Sequence, residues 1–307
     1  MTHNTIGDAA QILGGYGDVL MPGDLVAPIL SPAQRAAIQD WLAEINAKDE
    51  LAAHGLEPRV KGLFFGPPGT GKTTLGHTLA AALKMPLVSV KAETLQSKWV
   101  NASAENIGQF FDAVKKMKGK VAILFDEFDS LAPNRGASSG QSADRESAKS
   151  VNALLRRLEQ HKSLTFATTN RKDAIDPAIW RRFDIHIEIG LPGEDERYSI
   201  IRMYSPGMAI PEEDMDVLVK MTFGASPALL KSLMQGIARN RIIWPKVSKD
   251  PSDAHAMLAA VAAACAPPPG LTTPPLWEDT DVVAKQLQWQ WATIARPALP
   301  GPGAPKQ

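Results

Sequence analysis

The sequence predicts a parallel α/β domain followed by an all-α domain, and three observations carry that prediction. From Val60 to Ile189, apolar runs of strand length alternate with helix-length amphipathic segments. Runs such as Val121 to Phe125 are continuously apolar, as befits strands buried on both faces of a parallel sheet. After Pro192-Gly193 the strand pattern stops and only helical periodicity continues.

Residues 1–30 are weakly patterned, with breakers at Gly14-Gly15-Tyr16-Gly17 and Pro22-Gly23, and read as an N-terminal extension or docking arm. Ser31-Pro32 opens a helix, because Ser caps well and Pro is preset for the first turn. Ile38, Trp41, Leu42 and Ile45 form its apolar face. Gly62 to Phe65 is the first strand, ending in a Gly-rich turn before a helix from Thr73 to Leu83. The second strand is Pro86 to Val90. A helix from Ala102 to Lys118 follows, with Ile107, Phe110, Phe111 and Val114 on one face. Val121 to Phe125 is the third strand and Arg145 to Glu159 a helix. Leu164 to Thr168 and Ile185 to Ile189 complete a five-stranded sheet. This α/β domain spans 31–193. Helices at Glu194–Tyr204, Glu212–Met221, Ser226–Arg241 and Asp253–Ala264 make a helical domain over 194–265. Residues 266–307 read as a Pro-rich linker, a short helix from Val282 to Ala295 carrying Trp289 and Trp291, and a disordered tail.

Composition removes several function classes. Lys plus Arg and Asp plus Glu are 33 each, so the net charge is zero, which disfavours life on bulk nucleic-acid phosphate or anionic lipid. The single cysteine, Cys265, excludes a disulfide framework and a Cys-based zinc site and fits a reducing compartment. The six histidines show no metal-ligand spacing. A polar N-terminus and the lack of any apolar run of ~20 residues point to a cytoplasmic chain.

The chemistry is concentrated in four segments. Gly66-Pro67-Pro68-Gly69-Thr70-Gly71-Lys72-Thr73 matches the phosphate-binding loop G-x-x-x-x-G-K-[ST], placed between a strand and a helix. Its glycines turn backbone N–H groups inward around phosphate oxygens, and the helix adds its positive end. Lys72 neutralises phosphate charge, Thr73 offers a hydroxyl to Mg²⁺, and Thr74 opens the helix beside it. Ile123-Leu124-Phe125-Asp126-Glu127 ends a buried strand in two carboxylates: Asp126 suits the Mg²⁺ shell and Glu127 the attacking water. Asp129 reads as a solvated carboxylate. Asn170, after Thr168-Thr169, places an amide at the neighbouring strand tip to sense the γ-phosphate. Arg181 and Arg182, in Asp176-Pro177-Ala178-Ile179-Trp180-Arg181-Arg182-Phe183-Asp184, are surface charge or arginine fingers. Lys115, Lys116, Lys118 and Lys120 read as a solvated helix end.

Together these segments resemble an AAA+ ATPase of the branch that remodels proteins, over about Leu56 to Arg241. Thr168–Asn170 is similar to that family's sensor-1 segment, and Asp176–Asp184 to its finger segment. Gly224 and Ala225, within Phe223-Gly224-Ala225-Ser226, resemble its lid motif near the adenine, and Lys98-Trp99-Val100 its first pore loop. The resemblance implies ATP and Mg²⁺ as cofactors and a ring, usually a hexamer, with fingers completing a neighbour's site. It also implies a protein substrate, or a partner such as the subtilisin-like peptidase paired with some compact bacterial chains of this look. The sequence departs from the family where the two arginines are adjacent instead of separated by Pro-Gly. The main reading is a ring-forming Mg²⁺-dependent ATPase that remodels, unfolds or threads protein. A nucleotide-switch assembly chaperone and a nucleic-acid-directed helper ATPase are the rivals.

Overall fold

The computed structural model describes residues 3–23, 26–91, 104–131, 152–267, 270 and 272–288. The chain divides into two compact units, Met1–Gly190 and Leu191–Gln307.

Among the described residues, the first unit is built on a six-stranded sheet of order β1-β3-β4-β5-β2-β6. Its strands are β1 (Asp18–Leu20), β2 (Lys61–Phe65), β3 (Leu87–Lys91), β4 (Ala122–Asp126), β5 (Thr165–Thr169) and β6 (Ile185–Glu188). The strands from β2 to β6 run parallel, as the continuously apolar runs require, with Phe65 opposite Thr169 and Phe125 opposite Ala167. Successive side chains of each strand serve opposite faces. Leu63, Val88, Val90, Ile123, Phe125 and Ala167 pack with Ile107, Phe110 and Val114 of the helix Ala104–Lys116 and with Leu154 and Leu158 of the helix over 152–160. Phe64, Leu87, Leu124, Phe166 and Ile187 face the other way, onto Leu75 and Leu79 of the helix Lys72–Ala82 and Ile38 and Trp41 of the helix Pro32–Asn46. The result is a sheet with helices on both faces. Ser31 and Gln34 close a reciprocal capping box on Pro32–Asn46, and Trp41 Nε1 donates to Arg59 O at 2.8 Å.

The N-terminal segment corrects the sequence reading. It is no bare extension: the helix His3–Leu13 buries Ala9 and Leu13 completely, and Tyr16 meets Phe110 edge-on at 5.4 Å. β1 adds a sixth, antiparallel strand, pairing Asp18 with Ser89 and Leu20 with Leu87. A Cβ on Gly17 would stand 2.3 Å from Ser89 O, so this approach to β3 needs glycine.

In the second unit, the helices Glu194–Met203, Glu212–Met221, Pro227–Ile243 and Ala254–Ala264 bury Ile201, Leu218, Leu230, Leu233, Ile237 and Leu258. Ser226 and Asp253 cap the last two, and acidic residues fill the first turns of the first two, offsetting the positive helix ends. The Pro-rich stretch also departs from the linker reading. Helices Pro275–Glu278 and Thr280–Gln286 fold onto this unit, burying Leu276 and Val283. Trp277 Nε1 donates to Cys265 O at 2.9 Å, and Gln288 N to Asp214 Oδ1 at 2.7 Å. Proline is well placed here, since Pro275 occupies the first turn of its helix. Trp289, Trp291 and the tail lie outside the described residues. Among the described residues no helix is long and apolar enough to cross a membrane.

Candidate nucleotide site

β2, β4 and β5 end at the same edge of the sheet, and the candidate residues sit at those ends. Beyond β2 the chain enters Gly66 with φ at 143°, where a Cβ would stand 2.2 Å from Ile189 O. Gly69 and Gly71 are left-handed, at 75° and 94°. Gly71 is the N-cap of the helix Lys72–Ala82 and has no side chain with which to cap it, so the backbone N–H groups of this first turn are left for a ligand. Thr70 braces the loop, its buried Oγ1 donating to Pro67 O at 3.0 Å. Pro67 is half-buried, while Pro68 and Thr74 are exposed.

Lys72 is buried, and its Nζ donates to Gly66 O at 2.9 Å and Pro67 O at 2.7 Å. Burial pushes the ammonium down to about 8, against the opposing pull of Asp126 and Asp129. Asp126 Oδ1 accepts two hydroxyls, from Thr73 at 2.8 Å and Thr168 at 2.5 Å. The Thr168 oxygen in turn accepts Glu127 N–H at 3.1 Å. Glu127 has a φ of 52°, a left-handed conformation that costs a non-glycine residue about 1 kcal/mol or more. That turn brings its exposed side chain out just past β4. Asn170 is exposed at the end of β5.

Two site residues escape the sequence reading. Thr168 ties Asp126 to the Glu127 backbone. Asp129 is not solvated: half-buried, it accepts Thr169 Oγ1 at 2.8 Å, and Thr169 Oγ1 accepts Arg171 N–H at 3.0 Å. The available signal was two adjacent threonines closing an otherwise apolar strand, since buried hydroxyls require partners.

The arginines differ. Arg182 is half-buried, donates to Ala178 O at 3.5 Å and pairs with Glu159 at 3.5 Å, whereas Arg181 is exposed. Trp180, just before them, stacks on His186 at 4.1 Å. Gly224, at a φ of 81°, and the fully buried Ala225 belong to the second unit. Ala225 N–H donates to Thr222 O at 2.9 Å, and Gly224 is the half-buried, more open residue of the two. Lys98, Trp99 and Val100 lie outside the described residues.

The donor set fits a hard divalent ion. Mg²⁺ takes one or two protein oxygens and leaves its other positions to water and phosphate, and the Thr73 hydroxyl and Asp126 carboxylate are such a pair. Among the described residues no cluster of three or more His, Cys, Asp or Glu side chains suits a metal.

The glycine loop leads into an uncapped helix N-terminus beside a buried lysine and a threonine-held carboxylate, an arrangement of the phosphate-loop nucleotide-binding class. Residues 62–191 match the family described as "ATPase family associated with various cellular activities (AAA)". These residues form an AAA-type ATPase domain. The chain is 34% identical over 221 residues to a "Proteasome-activating nucleotidase" of Methanothermobacter thermautotrophicus, covering 67% of this chain and 53% of that protein. It is 33% identical over 199 residues to a "Cell division cycle protein 48 homolog" of Archaeoglobus fulgidus, covering 63% and 27%. A "Probable 26S proteasome regulatory subunit 10B" of Caenorhabditis elegans is 35% identical over 186 residues, covering 58% and 45%. The chain thus spans about half the length of the nucleotidase and about a quarter of the Cdc48 homologue.

The lowered Lys72 value has a measurable consequence. Phosphate favours the charged ammonium, so ATP affinity is full below pH 8 and falls as pH rises through that value. Calorimetry at pH 8.5 in buffers of different ionisation enthalpy should detect proton uptake on binding, and Lys72→Met should abolish it. Uptake that persists in Lys72→Met would assign the proton to another group.

Proposed function

We propose that the protein is a ring-forming, Mg²⁺-dependent ATP hydrolase that uses turnover to remodel, unfold or thread a protein substrate. The observation that carries the hydrolase reading is the Thr73–Asp126–Thr168 hydroxyl–carboxylate set beside the buried Lys72. Lys72 leaves the loop carbonyls to bind phosphate oxygens. Thr73 and Asp126 hold the ion, which supplies positive charge to the phosphates when bound. Glu127 orients the attacking water and takes its proton. Asn170 reports the γ-phosphate, and Arg181 reaches a neighbour's nucleotide, a role its exposure suits better than that of the Glu159-paired Arg182. Gly66 through Thr74 cradle the phosphates, and the family resemblance assigns Gly224 and Ala225 to the adenine. Phosphate release from ATP, measured with Mg²⁺ and with the ion chelated, tests the hydrolase reading; equal rates would remove the metal from it.

The proteasome-activating and Cdc48-like names of the relatives support a polypeptide as the object of the work. A homo-oligomeric ring, a hexamer in this reading, acts on that polypeptide or passes it to a partner peptidase in a reducing cytoplasm. Within it, Trp99, flanked by Lys98 and Val100, grips the chain. Trp99→Ala should leave melting temperature and basal ATPase nearly unchanged while substrate-stimulated ATPase collapses. A loss of stability of roughly 3–5 kcal/mol would instead make Trp99 a core residue. A folded Trp99→Ala ring that processes substrate at the parental rate would favour the nucleotide switch.

A further inference from the structure

The end of the sheet opposite the nucleotide site holds a hollow of about 510 Å³, within the range of ligand pockets. It lies between the last turn of the helix Ala104–Lys116 and the end of the helix over 152–160, and Gly119 and Ser163, just ahead of β4 and β5, line it. β4 runs from this end to Asp126, so the hollow and the nucleotide site are separated by about 13 Å of strand.

Its lining is strongly one-sided in charge. Lys115, Lys118, Arg157 and Lys162 stand against a single carboxylate, Asp112. Helix-end electrostatics account for Lys115, in the last turn of its helix, but Lys118 and Lys162 lie beyond the helices. Arg157 holds Asp112 at 2.9 Å, and Lys162 pairs with Glu57, so Lys115 and Lys118 supply most of the uncompensated charge. Lys118 is fixed in the left-handed region at a φ of 51° and followed by Gly119 at 73°, a tight turn that forms the rim. Phe111, 4% exposed, forms an apolar floor with His161 edge-on to it at 5.2 Å. His161 Nε2 is buried without a hydrogen-bond partner among the described residues. Burial, aided by Lys61, holds that imidazole down to about 4, so it stays neutral at pH 7 and adds no charge of its own.

A concave cationic site on a low-dielectric floor concentrates anions. We propose that this hollow is a second binding site, and that it takes a short acidic peptide segment of another protein molecule. The observations favour a peptide over a nucleic acid. The chain as a whole has no net positive charge, and of the two aromatic rings in the lining Phe111 is too buried to stack on a base while His161 is half-buried and set edge-on against it. A single inorganic anion would fill little of the volume and gain nothing from Phe111.

The test uses the full chain and a fluorescein-labelled hexaglutamate peptide, read by anisotropy at low salt. Saturable binding is expected, weakened at least ~10-fold by Lys115→Glu/Lys118→Glu. Both side chains are exposed, so that variant should fold, and its melting temperature verifies this. Lys48→Glu/Lys246→Glu makes the same charge change at exposed positions outside the hollow and should bind as the parent does. Absence of saturable binding, or equal weakening in both variants, would overturn the site. A labelled oligothymidylate that binds more tightly than the peptide, and is lost in the Lys115/Lys118 variant, would overturn the peptide assignment in favour of nucleic acid. None of these readouts requires ATP turnover, so they stand or fall apart from the hydrolase reading.

Discussion

Glu127→Gln should bind ATP as the parent protein does and hydrolyse it at least ~10²-fold more slowly, the scale of losing a general base. The substitution keeps the side chain's size and its exposed place beyond β4, and removes only the capacity to take a proton. Binding should survive because the contacts assigned to phosphate and metal come from Lys72, Thr73 and Asp126, which the change leaves intact. Thr168→Val gives a graded control. It keeps the shape of a buried β5 side chain but deletes both hydrogen bonds that tie Asp126 and the Glu127 N–H together. Turnover should then fall by less than in Glu127→Gln, because a loosened Glu127 still visits its working position. Single-turnover phosphate release, with nucleotide affinity measured alongside, checks both. Parental turnover by Glu127→Gln would remove Glu127 from the role.

The parallel strands were legible because each is a short, nearly continuous apolar run, and burial on both faces of the sheet explains that composition. β1 was not, because it is three residues long on a sheet edge and has no buried side chain to imprint a pattern. What fixes it is a non-local pairing with β3 and a glycine that lets the backbones meet. The helices Pro275–Glu278 and Thr280–Gln286 were masked by composition: clustered prolines read as linker, yet proline at a helix start is compatible with both helix and burial. The phosphate loop and the β4 carboxylates follow from local constraints on backbone and charge, so sequence suffices to pick them out. The Thr168–Asp126 and Thr169–Asp129 pairs join residues 42 and 40 positions apart, Asp126 at the end of the neighbouring β4 and Asp129 in the short helix Phe128–Leu131 that follows it, and only the packing of β4 beside β5 makes them meet. The same holds for the basic hollow. The sequence shows Lys115 and Lys118 only as part of a basic run at a helix end, and Arg157 and Lys162 join them through the packing of two helices on one sheet face.

Arg181→Ala should bind ATP yet hydrolyse it about 10³-fold more slowly, the lower end of the range for a missing arginine finger. Arg182→Ala should cost much less. Arg182 is engaged within its own chain, with Ala178 O and Glu159, and its guanidinium is half-buried, so its loss acts mainly on local packing. Arg181 follows directly on a Trp180 ring stacked against His186, whose Nε2 lies 2.9 Å from Trp180 O. With the backbone held there, an exposed guanidinium has a defined starting point and a free end, which is what a residue reaching into a neighbour requires. The distinguishing experiment is complementation. An Arg181→Ala chain has an intact phosphate loop, and a Lys72→Ala chain an intact Arg181. If the finger acts across an interface, mixing two nearly inactive proteins creates some complete sites, and ATPase rate against mixing ratio should pass through a maximum. Fluorescent labels on the two chains can establish that mixed assemblies form. A flat, inactive curve from assemblies shown to be mixed would place Arg181 in its own chain's chemistry or outside the reaction altogether. A maximum obtained with Arg182→Ala but not with Arg181→Ala would exchange the two assignments.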